Sequence, residues 1–209
     1  MWMDEGINST VGKDEKLSSA IKAFRWAARR AFRLGLQAGS GGNISLRVGT
    51  ELFLTKPTGI GLSECRRSNL VLVNGEGRPV EGQDKPTKEV QTHLSIYRVR
   101  PGVGGIVHYH PPYATAYAVK NQPLPLPTLQ ARRILKQIPL IPEYPEGSAE
   151  LAQAVREAAL DPEVVGLLLA GHGLMAMGPT LQQAQYTAEL MEESARIAWL
   201  AGSLKIRPG

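Results

Sequence analysis

The sequence predicts an α/β (α+β) fold of three layers, α/β/α, built around a central, mainly antiparallel sheet. Three observations point there. Helical and strand patterns interleave along the chain. Neighbouring strand patterns are joined by short Gly-Thr and Asn-Gly turns, which suit hairpins and leave no room for crossovers. No Gly-x-Gly-x-x-Gly stands at a strand-to-helix junction, so a doubly wound nucleotide-binding sheet lacks its signature.

The elements follow in order. Residues 1–13 read as a flexible N-terminal arm. From Asp14 to Leu34, Leu17, Ala20, Ile21, Phe24, Ala27, Ala28, Ala31 and Leu34 repeat with helical spacing, and Gly35 is a stop. Gly39 to Asn43 form a turn, and Ile44–Val48 a strand. Gly49-Thr50 turns the chain into a second strand, Glu51–Thr55. The loop Lys56–Gly61 leads to a strand at Leu70–Val73, and the Asn74–Gly77 turn to another at Pro79-Val80. Pro86 suits the first position of a helix running to Tyr97, with Val90, Leu94 and Tyr97 as its buried stripe. A strand at Gly104–His110 is ended by two prolines, and a short helix follows at Tyr113–Val119. Pro123–Pro127 is extended. Strands are expected at Ile138–Pro142 and Val164–Ala170, and helices at Ser148–Ala159 and Leu181–Leu200. Residues 14–209 are expected to form one catalytic domain.

Composition bounds the function. The 209 residues are 43% hydrophobic and 21% charged, which excludes disorder for the bulk of the chain. No apolar run approaches the ~20 residues that span a bilayer, and MWMDEGINSTVGKDEK is too polar for a secretory leader. The single cysteine, Cys65, excludes an internal disulfide and a cysteine-cluster zinc site, and it reads as an inert small residue near a loop. A cytoplasmic protein is expected, with no membrane partner. The net charge of +5 is spread out. Its densest cluster is Arg25, Arg29, Arg30 and Arg33 on one side of a helix, with no aromatic-basic motif, so no nucleic-acid partner is expected.

The chemistry concentrates on histidine. There are four in the chain. His108 and His110 are two apart on one strand, so their rings share a face while Val107 and Tyr109 point the other way. His172 lies between two glycines just past the apolar run Val164–Ala170. Three imidazoles leave an open position on a divalent ion, as catalytic sites do. One ion per chain is expected. Neutral nitrogen donors suit Zn²⁺, with Mn²⁺, Co²⁺ or Fe²⁺ as alternatives. Glu89 is the matching acid, and His93 stands four residues on along the same helix face. The bland alternatives are a carboxylate that complements the helix dipole and a histidine that packs, which is the favoured reading of His93. Gly41, Gly42 and Asn43 can present successive N–H groups to an anion, and Thr58-Gly59 a hydroxyl and an open backbone. Thr87 and Lys88 would open the Pro86 helix, where free N–H groups attract phosphate. Taken singly, each of these is also an ordinary turn or cap.

These residues resemble the class II aldolase/adducin family. The resemblance runs from about Leu17 to Ala201. It rests on SGGNIS (Ser40–Ser45), TKPTGIG (Thr55–Gly61), KPTKEVQTHLSIYRVRPGVGGIVHYHPPYATA (Lys85–Ala116), LLLAGHGLMAMG (Leu167–Gly178) and the helix Thr180–Ala198. The resemblance implies metal ligands at His108, His110 and His172. Glu89 would be the catalytic acid/base, able to visit the metal when substrate is absent. Phosphate contacts would fall at Gly42, Asn43, Thr58, Gly59 and Thr87. The family's fold and its usual homotetramer, with active sites at subunit interfaces, are implied as well.

The resemblance also has departures. The family's aldolases carry two serines before the catalytic Glu, where this chain has Thr87-Lys88. They use a tyrosine near position 131 and another in the tail, and neither is present here. The Pro-Thr-Lys-Glu run is closer to decarboxylases of 3-oxo-tetronate 4-phosphates. Epimerases carry Asp where Glu89 stands, and scaffold members lack the histidines. The expected function is a lyase that breaks a C–C bond of a small phosphorylated sugar through an enediolate. Decarboxylation of a sugar acid is the alternative, which Lys88 would favour by meeting a carboxylate. Epimerisation and dehydration are further options within the family, and a metal-free scaffold is the reading from a different class.

Overall fold

The computed structural model describes residues 6–81 and 85–203. Eight strands form one sheet. In chain order they are β1 (Asn43–Gly49), β2 (Leu52–Thr55), β3 (Val71–Asn74), β4 (Pro79–Glu81), β5 (Gly105–Tyr109), β6 (Leu140–Ile141), β7 (Gly166–Leu169) and β8 (Gly173–Gly178). Across the sheet the order is β4-β3-β2-β1-β5-β8-β7-β6. Every pairing is antiparallel except β6 with β7. The fold class expected from the turns is the one observed.

Strand alternation assigns the two faces. Ile44, Val107, Tyr109, Leu168, Leu174 and Ala176 point to one side. There they meet α1 (Gly6–Arg33), α3 (Pro112–Val119), α4 (Leu129–Leu135) and α6 (Leu181–Ser203). Ile106, Leu167, Leu169, Met175 and Met177 point to the other side, onto α2 (Val90–Val99) and α5 (Ala149–Ala158). Residues one apart therefore enter different cores, and the helices close the sheet as outer layers. His108 shares the face of Ile106, so it looks towards α2.

The elements depart from expectation in four places. Residues 1–5 of the expected arm lie outside the described residues, and from Gly6 the backbone is already helical and continuous with α1. Strand β8 has no counterpart in the sequence reading. Its GLMAMG run has no β-branched residue and is placed by pairing with β5 and β7 on both sides. Helix α4 is seven residues long, too short for a periodic signal, and starts at a Thr128 hydroxyl that accepts from Ala131 N.

Helix α2 begins at Val90, with Glu89 at the N-cap. The expected start at Pro86 is wrong because the chain there is occupied otherwise. Pro86 bridges Pro57 in antiparallel fashion, and Thr87 N–H donates to the Lys56 carbonyl at 2.9 Å. Residues 86 and 87 are thus extended backbone laid against the TKPTGIG loop, and Thr87 and Lys88 do not open a helix.

Candidate active site

His108 comes from the end of β5, where pairing with Asn43 on β1 and Met175 on β8 fixes it at the centre of the sheet. His110 follows two residues later, just past the strand, and its N–H donates to Gln37 Oε1 at 2.9 Å. His172 sits in the tight turn that joins β7 to β8, closed by His172 N–H on the Leu169 carbonyl at 3.0 Å. The glycine after it is required by space. A Cβ at Gly173 would lie 2.4 Å from the Tyr109 carbonyl and 2.7 Å from the His110 ring.

The three rings converge. His108 Nε2 lies 2.9 Å from His110 Nε2 and 3.2 Å from His172 Nε2. Ligands about 2.0–2.1 Å from a tetrahedral ion stand roughly 3.3 Å from one another, so the spacing fits one small cation. The donor chemistry fits too. His108 Nδ1–H donates to the Leu174 carbonyl at 2.8 Å, which leaves the Nε2 lone pair facing its neighbours. Burial, then the neighbouring His172 and His110, hold His108 well below the usual histidine range. Burial and His172 lower His110 as well. Neutral imidazoles are the form that binds metal. The residues present therefore fit a divalent ion.

Glu89 is 5% exposed and stands beside this cluster, its Oε2 3.3 Å from His108 Nε2. Asn43 Nδ2 donates to the same oxygen at 2.6 Å. A second rung lies one turn further along α2, where Ser45 Oγ meets His93 Nδ1 at 2.7 Å and Tyr97 OH at 3.0 Å. Asn43 and Ser45 are two apart on β1, and Glu89, His93 and Tyr97 are four apart along α2. The two periods match, so strand and helix meet as a ladder of polar pairs. His93 is thereby a packing residue outside the histidine cluster.

A cleft of about 260 Å³ opens over the histidines. His110, His172, Glu89, Gly42, Asn43, Thr58, Gly59, Thr87 and Lys88 line it together with Ser40, Gly41, Lys56 and Glu146. The sequence-predicted residues thus meet in one place. Lys56 and Glu146 are additions, as is Gln37 behind the wall. Lys56 is 2% exposed, and its ammonium donates to the Ser40 carbonyl at 2.6 Å and the Ile60 carbonyl at 2.5 Å, tying the two glycine-rich loops together. Its place in TKPTGIG was the available signal. For Gln37 and Glu146 the sequence carries none. Cys65 is buried nearby and its thiol is pushed up to about 11 by desolvation, which leaves it unreactive.

A family profile described as "Class II Aldolase and Adducin N-terminal domain" matches residues 22–199. The L-fuculose phosphate aldolase of Methanococcus maripaludis is 33% identical over 189 residues, covering 90% of this chain and 99% of the relative. The 3-oxo-tetronate 4-phosphate decarboxylase of Pectobacterium atrosepticum is 36% identical over 182 residues, covering 84% and 82%. The crystal structure of L-fuculose-1-phosphate aldolase from Thermus thermophilus superposes with a TM-score of 0.79 at 28% identity, covering 91% of this chain and all of that one.

Proposed function

The chain belongs to the class II aldolase and adducin family and is a lyase of that family, and from this premise we propose that it breaks a carbon–carbon bond of a small phosphorylated sugar by metal-dependent retro-aldol cleavage. The observation that carries the reading is the convergence of three Nε2 atoms beside the Glu89 carboxylate, within a cleft walled by two glycine-rich loops.

His108, His110 and His172 would hold one divalent ion per chain, with Zn²⁺ the expected metal and Mn²⁺, Co²⁺ or Fe²⁺ the alternatives. When bound, that ion supplies Lewis acidity to a carbonyl and adjacent hydroxyl of the substrate. Glu89, its Oε2 held by Asn43, exchanges a proton with the carbon next to the breaking bond; a placed carboxylate of this kind contributes about 10²–10⁴-fold. Gly42, Asn43, Thr58, Gly59, Thr87 and Lys88 receive the phosphate, whose remote binding energy fixes the substrate's register.

Decarboxylation of a 3-oxo-tetronate 4-phosphate is the second reading. Lys88 on the cleft wall favours it, as does the likeness to the Pectobacterium decarboxylase. Protein purified without chelator should carry about one divalent ion per chain. Assaying phosphorylated ketoses and 3-oxo acids, with aldehyde and CO₂ release both followed, tests the reaction. Aldehyde release supports the aldolase, CO₂ release alone supports the second reading, and an ion-free protein inactive on both classes overturns the proposal.

A homotetramer in the cytoplasm completes the proposal. A groove of about 1150 Å³ that shares no lining residue with the histidine cleft supports the assembly. It presents Tyr113, Ile134, Tyr186 and Leu200, apolar surface of the kind that a second subunit covers. Light scattering that gives a monomer mass would overturn the tetramer. Among the described residues no helix is long and apolar enough to cross a membrane.

A further inference from the structure

We infer that Glu146 sets the substrate class of this cleft: it reserves the space beside His172 for an uncharged, hydroxylated group and turns away molecules that carry a carboxylate there. The inference rests on the lyase reading above and narrows it.

The position of Glu146 is built. It stands at the tip of the turn between β6 and α5, and that turn is clamped on both flanks. On one side Gly147, at φ +71°, packs against Lys88, and a Cβ there would lie 2.7 Å from the Lys88 carbonyl. On the other side the Glu143 carboxylate packs on Gly171, next to His172, where a Cβ would come within 2.9 Å of Glu143 Oε2. Ser148 N–H closes the turn on the Pro145 carbonyl at 3.1 Å, and the Ser148 hydroxyl accepts from Leu151 N to start α5. From this base the Glu146 side chain reaches into the cleft, with Oε1 3.5 Å from His172 Nε2.

The charges around the cleft are polarised. The loop wall holds the Lys56 ammonium and the turns suited to phosphate. The wall beside His172 holds the Glu146 carboxylate, whose one close contact to a basic side chain among the described residues is that imidazole. Lys88 lines the same cleft without pairing to it. A substrate anchored by phosphate at the loops, with its carbonyl and adjacent hydroxyl at the histidines, has its far carbon group left to face Glu146. A hydroxymethyl group can hydrogen-bond to that carboxylate. A carboxylate there meets a like charge at a few ångströms, a repulsion that solvent weakens but does not remove at a side chain 62% exposed. Discrimination by repulsion of the wrong partner is a common route to specificity. An aldolase substrate and a 3-oxo-tetronate 4-phosphate share the phosphate, the carbonyl and the next carbinol, and differ at the carbon beyond it, hydroxylated in one and a carboxylate in the other.

The test uses two ligands that differ only at that position. Erythritol 4-phosphate carries a hydroxymethyl group where 4-phosphoerythronate carries a carboxylate. Calorimetry on the ion-loaded full chain should give at least a tenfold tighter Kd for erythritol 4-phosphate. Glu146→Gln should cut that ratio below threefold by tightening the acid, with the Kd of erythritol 4-phosphate moving less than twofold and ion content unchanged. Glu146→Lys should reverse the preference. A ratio that Glu146→Gln leaves unchanged overturns the inference, as does equal weakening of both ligands or loss of the ion. A chain that loads no ion, or loads it and binds neither ligand, overturns the lyase reading instead.

Discussion

At the scale of single residues, the histidines and Glu89 are proposed to do different work, and substitution separates them. His108→Ala removes the ring at the centre of the cluster, so metal analysis should find the bound ion lost. Glu89→Gln leaves the three imidazoles in place, so the ion should stay while turnover falls about 10²–10⁴-fold; normal rates would refute the acid/base role. His93 makes a prediction about pH. Its ring is buried and held neutral, with a pKa lowered by desolvation to about 4 from 6.5. Between those values the unfolded chain binds the proton and the native chain does not. Stability present at neutral pH is therefore lost as pH falls towards 4, by roughly 2–3 kcal/mol from this group between pH 7 and 4.5. Urea midpoints at the two pH values should show the loss in the parent and a smaller one in His93→Gln.

At the scale of elements, the site is held by loops that are pinned at few points. Lys56 is such a point. Its ammonium ties the Ser40 and Ile60 carbonyls, so Lys56→Met leaves both acceptors without the charged donor that joins the loops. The expected result is a raised KM for phosphorylated substrate with kcat changed less. Equal kinetics in parent and variant would show that the loops hold their shape without it. Ser148 is another. Its hydroxyl caps α5 on Leu151 N, and Ser148→Ala should cost about 1 kcal/mol in denaturant unfolding.

At the scale of the whole molecule, a polar chain joins the sheet to its α1 and α6 layer, running from the apolar core towards the surface. Tyr109 OH on β5 donates to Gln185 Oε1 on α6 at 2.7 Å, and Gln185 Nε2 donates to Glu189 at 3.0 Å. Glu189 in turn takes both Arg30 donors of α1 at 2.5 and 2.8 Å. The Arg30 guanidinium lies by the Trp26 and Tyr186 rings, and this bidentate pair registers α1 on α6. The proposed ion would register the same end of β5, on the other face of the sheet, against the β7–β8 turn. A ligand at about a hundred times its Kd adds about 2.7 kcal/mol, which for a chain of this size corresponds to about 5–10 °C in Tm. Chelation followed by thermal unfolding should show a drop of that size, restored by adding Zn²⁺. An unchanged Tm would count against an ion bridging these elements.

The sequence alone determined what depends on local period and local turn chemistry. His-x-His faces one side because strand side chains alternate. Hairpin turns make the sheet antiparallel, and an amphipathic repeat makes α1 and α6 helices. The residues singled out for the cleft were legible because each sits in a short run with its own chemistry. The tertiary structure decided the rest, where a residue's state depends on a neighbour distant in the chain. Strand β8 is a strand because β5 and β7 flank it. Helix α2 starts late because Pro57 and Lys56 claim Pro86 and Thr87. Lys56 turns inward to two carbonyls, and Glu146 reaches the histidines because Gly147 and Glu143 dock on other loops. Hydrogen bonds and close contacts of this kind depend on distance in space, and sequence spacing carries no record of it.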